Sequence, residues 1–138
     1  DRIVVTGRVK DVRPYLVGAT VGCVPLVSGS GTKYKVLEAL SAGVPLVCSP
    51  IAAEGLDLRD GEHMLVRQTD LEIADALVKL LDEPDMAQQM ARRGRAAVET
   101  RYAWDVFLPK LDHWLNHLAE APLYRTTAFG GPRPAGNS

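Results

Sequence analysis

Short apolar runs alternate with helix-length segments along most of the chain, and this alternation constrains the fold more than any other feature. The runs are rich in β-branched residues and lie between turn-forming residues, as buried strands do. They cover residues 3–6, 21–27, 44–48 and 64–66. Strands that alternate with helices form parallel sheets through right-handed crossovers. The pattern therefore predicts an α/β domain: a Rossmann-like parallel sheet with flanking helices, binding ligands at the carboxyl ends of its strands.

Capping residues and apolar spacing predict the helices. They cover residues 11–19, 32–42, 69 to the Glu83-Pro84 break, 84–99 and 103–118. Gly43 follows the second of these, at the position where a left-handed residue ends a helix. In the last helix, large apolar residues recur at steps of four and three, which predicts that this stripe faces the core. The stripe consists of Trp104, Leu108, Leu111, Leu115 and Leu118.

Composition and charge exclude several classes of protein. The chain has 138 residues, of which 46% are hydrophobic, as expected of one globular domain. The chain contains 16 basic and 17 acidic residues. Eight of the 16 basic residues precede residue 70, so neither half is a basic nucleic-acid-binding block. No segment approaches the roughly 18 apolar residues of a membrane span, and no signal-peptide pattern opens the chain. We expect a cytoplasmic domain at residues 1–118, followed by a Pro- and Gly-rich tail at residues 119–138.

A glycine-rich loop joins the second predicted strand to the helix that follows it. Gly29, Ser30, Gly31 and Thr32 form this loop. Glycines allow close backbone approach, and the amides and dipole of a helix amino end attract anions, so the loop is a candidate phosphate site. Lys33 shares a stripe with the sheet-facing residues of the helix, where its charge would oppose the dipole unless an anion is present. A plain connecting loop and an ordinary surface lysine remain open alternatives.

Glu38 lies farther along the same helix. Its carboxylate lies about one ribose beyond a diphosphate bound at the loop, and a carboxylate can accept hydrogen bonds from both hydroxyls of a ribose. The alternative is an exposed i,i+3 pair with Lys35. Both interpretations stay open on the residues alone.

Residues 31–47, Gly-Thr-Lys-Tyr-Lys-Val-Leu-Glu-Ala-Leu-Ser-Ala-Gly-Val-Pro-Leu-Val, resemble the donor-site segment of retaining group 1 glycosyltransferases, which have the GT-B fold. Supporting segments occur in order from residue 5 to Trp104, and the resemblance covers roughly residues 1–118. It implies a UDP- or GDP-sugar donor, with Glu38 at the ribose and residues 30–33 at the diphosphate. It places the loop of Gly7, Arg8, Val9 and Lys10 near the base.

The sequence departs from the family pattern in two respects. The family has a glutamate eight residues before Glu38, where this chain has Ser30, so the contact with the sugar is in doubt. The family also has an amino-terminal acceptor lobe, and two strand-helix units of the donor lobe, before the segment that matches residue 3. The resemblance thus implies a carboxyl-terminal fragment of a longer transferase, inactive alone, whose catalytic residues lie elsewhere.

The resemblance implies metal-independent transfer of a hexose to a sugar or lipid-linked acceptor, and no Asp-x-Asp motif occurs in the chain. Two alternatives remain: a non-catalytic nucleotide-binding or interaction module, and a fragment of a GT-B sugar-nucleotide epimerase. Expected partners are the donor and the missing lobe. Peripheral membrane contact of the parent and association of the fragment with itself also stay open.

The cysteines, the histidines and a group of arginines are expected to lie outside any functional site. Cys23 and Cys48 lie in apolar runs and are expected to be buried free thiols in a reducing compartment. His63 is expected at the surface, and His113 and His117 on the solvent face of the last helix rather than at a metal. The four arginines between residues 92 and 101 are expected to form a solvated helix face rather than a lipid-binding surface.

Overall fold

A computed structural model describes residues 3–29 and 31–120, and this described part contains three strands and six helices. In chain order they are α1 (Arg13–Val17), β1 (Gly22–Val24), α2 (Tyr34–Ser41), β2 (Leu46–Cys48), α3 (Pro50–Ala53), β3 (Leu65–Val66), α4 (Asp70–Asp82), α5 (Pro84–Arg101) and α6 (Trp104–Glu120). Contacts divide the chain into two units, residues 1–101 and residues 102–138. None of the described helices has the length and apolar character needed to cross a membrane. The predicted tail from residue 121 onward lies outside the described residues.

The three strands form one parallel sheet in the order β1-β2-β3. Val24 pairs with Cys48, and Cys48 pairs with Val66, so the strands end side by side. The central strand β2 is completely buried, as is usual for parallel strands covered on both faces. The predicted α/β fold is confirmed, and the carboxyl ends of its strands form one edge.

Local sequence signals set several helix ends where they were predicted. Helix α4 begins with a capping box: the Glu72 amide donates to the Thr69 hydroxyl, and the Thr69 amide donates to the Glu72 carboxylate. The hydrogen bonds that the Glu72 carboxylate accepts from the Thr69 and Gln68 amides lower its pKa. Helix α2 ends before Gly43, which has a φ of 73°. That left-handed backbone carries no steric cost at glycine.

The core of the first unit lies between the sheet and the helices packed on it. Helices α2 and α4 pack against β2, and α5 packs against both helices. One buried cluster joins the strands to α4 and α5 and consists of Val47, Leu65, Ile73, Ala76, Leu80, Ala87 and Met90. Burial of this apolar surface holds the loops at the strand ends in place.

The prediction of a strand at residues 3–6 is wrong. Ile3, Val4 and Val5 have no strand conformation, and more than four-fifths of each residue is exposed. A strand needs a neighbour that satisfies its backbone hydrogen bonds, and no described strand pairs with this segment. The apolar run therefore stays outside the described sheet.

The predicted orientation of the last helix is also wrong. Helix α6 forms almost where expected, but all five residues of its apolar stripe are exposed, from 38% for Leu111 to 67% for Trp104. Residues 102–120, the described part of the second unit, contain this helix alone. Heptad-like spacing shows which face of a helix is apolar enough to be buried. It does not show whether another part of the protein covers that face.

The two cysteines are free, as predicted, but only one is buried. Burial raises the pKa of the Cys48 thiol to about 12, and the nearby Asp60 charge acts in the same direction. Its sulfur lies 3.7 Å from the Met64 sulfur. Cys23 is exposed, contrary to the prediction.

Candidate functional site

The glycine loop lies where the sequence places it, between the carboxyl end of β1 and the amino end of α2. Strand β1 ends at Val24, and Pro25 follows immediately at a position where no ladder hydrogen bond is required. The loop and the first turn of α2 border a cleft of about 320 Å³. The lining residues are Val24, Leu26, Ser28, Gly29, Gly31, Thr32, Lys33, Tyr34, Lys35, Val36 and Ala52. The predicted site residues 29 and 31–33 thus share one cleft, and Ser30 lies outside the described residues.

Lys33 is the residue on which α2 starts. Its carbonyl accepts hydrogen bonds from the amides of Val36 and Leu37, and its half-buried side chain turns back toward the loop. The Lys33 Nζ donates to the Gly29 carbonyl at 3.3 Å. This contact keeps a positive charge at the loop, within the lining of the cleft.

The amino end of α2 has the electrostatics of an anion site. No described side chain caps it, and its first turn contains no acidic residue. Two other described helices start at this edge of the sheet, and both have capped amino ends: Ser49 caps α3, and Thr69 and Glu72 cap α4. The first amides of α2 and the two lysines at positions 33 and 35 are therefore available to a negatively charged group.

Glu38 lies in a different cleft from the glycine loop. It borders a depression of about 420 Å³ together with residues of α1 and with Arg95. The two arginines there already pair with other carboxylates, Arg13 with Asp11 at 2.8 Å and Arg95 with Glu99 at 2.7 Å. The hydrogen bond from Arg13 lowers the pKa of Asp11. Within the described residues the Glu38 carboxylate has no hydrogen-bond or ion-pair partner, so it is open to a ligand.

The loop of Gly7, Arg8, Val9 and Lys10 borders neither of these two clefts. Val9 is half-buried and the other three residues are exposed. The described structure therefore brings residues 29 and 31–33 together, places Glu38 farther along the same helix, and leaves residues 7–10 apart from both.

Ser49, the first residue after β2, was not predicted to take part in this region. Its side chain is buried, its hydroxyl donates to the Leu26 carbonyl at 2.7 Å, and it accepts from the Ala52 amide at 3.4 Å. A helix-capping serine followed by Pro50 at the first helical position is a recognisable local signal. The bond to Leu26, 23 residues away, carries no such signal.

A second cleft lies at the carboxyl edge of the sheet, beside the glycine loop. Its volume is about 320 Å³, and residues that follow each of the three strands line it: Leu26, Ser49 and Gln68. A larger cleft of about 490 Å³ lies at the opposite edge, around Ala42, Gly43 and Pro45. Ligands of open parallel sheets bind beyond the carboxyl ends of the strands, which favours the edge with the glycine loop.

The remaining histidines and arginines do not add to this site. His63 is buried, with 4% exposed, so the prediction of a surface histidine is wrong. Its Nδ1 accepts a hydrogen bond from the Arg59 amide at 2.9 Å, and burial lowers the pKa of its imidazole. His113 and His117 are exposed and stacked, with ring centres 6.5 Å apart.

Arg92 and Arg95 of α5 bond within the helix, whereas Arg101 reaches a segment 44 positions earlier in the chain. Arg92 donates to Gln88 at 3.0 Å, and Arg101 pairs with the Asp57 carboxylate at 3.2 Å and donates to the Asp57 carbonyl. Arg92, Arg93 and Arg95 are exposed. The interpretation as a solvated helix face agrees with this arrangement.

Known proteins that resemble this chain are glycosyltransferases. Residues 1–83 match the family model described as "Glycosyl transferases group 1". A phosphatidyl-myo-inositol mannosyltransferase of Mycobacterium leprae is 37% identical over 90 residues, which cover 64% of this chain and 24% of that protein. A Corynebacterium glutamicum protein named as a GDP-mannose-dependent monoacylated α-(1-6)-phosphatidylinositol monomannoside mannosyltransferase is 29% identical over 91 residues, which cover 65% of this chain and 23% of that protein.

The fold is similar to that of a solved structure. Sucrose-phosphate synthase from Thermosynechococcus elongatus superposes with a TM-score of 0.69 at 20% identity, over 78% of this chain and 27% of that one. The chain spans about a quarter of the length of these proteins.

Proposed function

This chain belongs to the group 1 glycosyl transferase family, and on that premise we propose that it binds the nucleotide-sugar donor of a glycosyltransferase at the cleft beside loop 29–33. The full protein would move a hexose from a UDP or GDP donor to a sugar or lipid-linked acceptor. The observation that carries the proposal is the amino end of α2, uncapped by any described side chain and beside the Lys33 ammonium group.

The proposed chemistry is electrostatic. When the bond between sugar and diphosphate breaks, negative charge grows on the leaving diphosphate. Lys33 and the amides of the loop would stabilise that charge without a metal, as the family resemblance implies. Glu38 would accept hydrogen bonds from the ribose, and residues 7–10 would lie toward the base. The groups that act on the acceptor would belong to another part of the full protein.

GDP-mannose is the first donor to test. The name of the Corynebacterium glutamicum relative specifies GDP-mannose, and the two relatives named as mannosyltransferases share 29–37% identity with this chain. The names of these relatives also favour transfer over epimerisation. The same names make a phosphatidylinositol-type lipid the first acceptor to test in the full protein.

Titration of the chain with GDP and with UDP, followed by NMR, tests donor binding. Amide shifts should centre on residues 29–37, and GDP should bind more tightly than UDP if the donor is a GDP-sugar. Lys33→Met should weaken GDP binding by about 10-fold or more, because a charged hydrogen bond to phosphate is lost. Lys79→Met, on the exposed surface of α4, is the matched control. Equal affinity in the two variants, or shifts confined to other regions, would contradict the proposal.

A further inference from the structure

Ser49 connects the ends of two neighbouring strands. Its backbone amide donates to the Val24 carbonyl at 3.1 Å, and its hydroxyl donates to the Leu26 carbonyl at 2.7 Å. Val24 is the last residue of β1, and Ser49 directly follows the last residue of β2. Two bonds from a single residue thus hold the segment that leaves β1 against the end of β2.

The segment held in this way leads directly into the glycine loop. Pro25 has no amide hydrogen, and the Leu26 amide bonds locally to the Val24 carbonyl at 3.1 Å. From Val27 to Thr32, every described residue is exposed. Besides the bond from Ser49, one side-chain hydrogen bond reaches the described part of the loop, from Lys33 to Gly29. That bond is exposed, and it joins two residues of the loop instead of tying the loop to the sheet. The Ser49 hydroxyl is therefore the described side-chain group that ties the entrance of the loop to the sheet.

The hydrogen bond from Ser49 to Leu26 is shielded from water, so it contributes more to stability than an exposed hydrogen bond does. Ser49 is 7% exposed, whereas the residues of the loop are open to water. Removing the hydroxyl would leave the Leu26 carbonyl without this partner and the start of α3 without its cap. The first effect acts on the loop, and the second acts on a four-residue helix.

We propose that Ser49 is a positioning residue for the donor site: by bonding the Leu26 carbonyl, it sets where the glycine loop begins relative to the amino end of α2. This inference rests on the proposed donor-binding function. Ser49 itself does not line the cleft that contains Lys33, so it acts through the loop rather than on the ligand.

Ser49→Ala tests the proposal in the full chain, with GDP as the probe. We expect a loss of GDP affinity of about three- to tenfold, the effect of one lost hydrogen bond. Ser49→Thr keeps the hydroxyl and should restore most of the affinity. Thr69→Ala is the matched control, because it removes another helix-capping hydroxyl, at α4, that does not contact the loop. It should lower the melting temperature and leave GDP affinity unchanged.

Amide hydrogen exchange gives a second readout that requires no ligand. Exchange at the Leu26 amide, which is hydrogen-bonded to the Val24 carbonyl at the entrance of the loop, should become faster in Ser49→Ala than in Thr69→Ala. If Ser49→Ala does not fold, Ser49→Cys replaces it, since a thiol has a similar shape and donates weakly. Unchanged exchange at the Leu26 amide, or the same loss of affinity in both variants, would overturn the positioning role. If the wild-type chain binds no GDP, the donor function fails, and the exchange comparison still decides whether Ser49 holds the loop.

Discussion

Gly94 of α5 lies directly against the backbone of His63, so that a Cβ atom at Gly94 would stand 2.7 Å from the His63 carbonyl oxygen. The same Cβ would stand 2.9 Å from a methyl group of Leu40 on α2. A carbonyl held in a buried loop cannot move aside as a flexible side chain can. This contact fixes the distance between α5, α2 and the segment that enters β3.

Gly94→Ala should therefore destabilise the fold, although alanine favours helices. The steric overlap should cost about 1–3 kcal/mol, more than the gain of about 1 kcal/mol in helix propensity. Chemical denaturation would measure the free energy of unfolding. Arg93→Ala, at the neighbouring exposed position, should change it by no more than about 0.5 kcal/mol. A stabilised Gly94→Ala variant would show that α5 and the His63 backbone can move apart at little cost.

Stability should fall in mild acid because of His63. Burial lowers the pKa of His63 in the folded protein below its ordinary value of 6.5, so the unfolded chain binds a proton more readily. The stabilising effect of the neutral imidazole is present above pH 6.5 and is lost as the pH falls toward the folded-state pKa. The slope from this one group cannot exceed about 1.4 kcal/mol per pH unit.

Denaturation curves between pH 7.5 and pH 5 would measure this slope (about 2.5 pH units, spanning the ordinary imidazole pKa). His63→Asn should reduce it, while replacement of the exposed His113 and His117 by glutamine should leave it unchanged. A protonated imidazole would also oppose the Arg59 amide, which now donates to the Nδ1 atom. An identical slope in His63→Asn would assign the acid effect to other groups.

The proposed donor site assigns the ribose to Glu38 and the phosphates to the glycine loop. Glu38 lies about 6 Å along the axis from the first residue of α2, in a different cleft from the loop. Glu38→Ala should weaken GDP binding by about 1–3 kcal/mol through lost hydrogen bonds to the ribose. Binding of inorganic diphosphate should not change, because that ligand has no ribose.

Calorimetry with GDP and with diphosphate makes this comparison directly. Asp75→Ala provides the control, since that exposed carboxylate lies on α4 and does not border the Glu38 cleft. If Glu38→Ala leaves GDP affinity unchanged, or weakens both ligands equally, Glu38 does not bind the ribose.

The isolated chain should bind donors without transferring sugar. It spans about a quarter of the relatives it matches, and holding donor and acceptor together is worth about 7–11 kcal/mol of the barrier to reaction. Losing that positioning should abolish turnover rather than reduce it. Parallel assays of GDP-mannose binding, hydrolysis and transfer to lipid acceptors would measure this. Transfer by the chain alone would contradict the proposal that another part of the full protein acts on the acceptor.

Much of the fold and the core of the candidate site follow from local sequence. The apolar runs of β1, β2 and β3, the capping box at Thr69 and the left-handed Gly43 depend on a few neighbouring residues, and each lies where it was predicted. The glycine loop also depends on local order, because a strand, two glycines and a helix start follow one another directly. The order of residues along the chain is therefore enough to place the loop and Lys33 together at the start of α2, where they border one cleft.

Tertiary structure alone decided the features that need a distant partner. Residues 3–6 have the composition of a strand but lack a paired neighbour, and the α6 stripe has the spacing of a buried face but is exposed. His63 is buried in a core where Gly94, 31 positions later, makes room for its backbone, and Ser49 after the end of β2 bonds Leu26 after the end of β1. Composition and spacing specify what each segment can form. Whether a segment is buried and where its hydrogen bonds go depend on which other segments pack against it. Only the tertiary structure determines those neighbours.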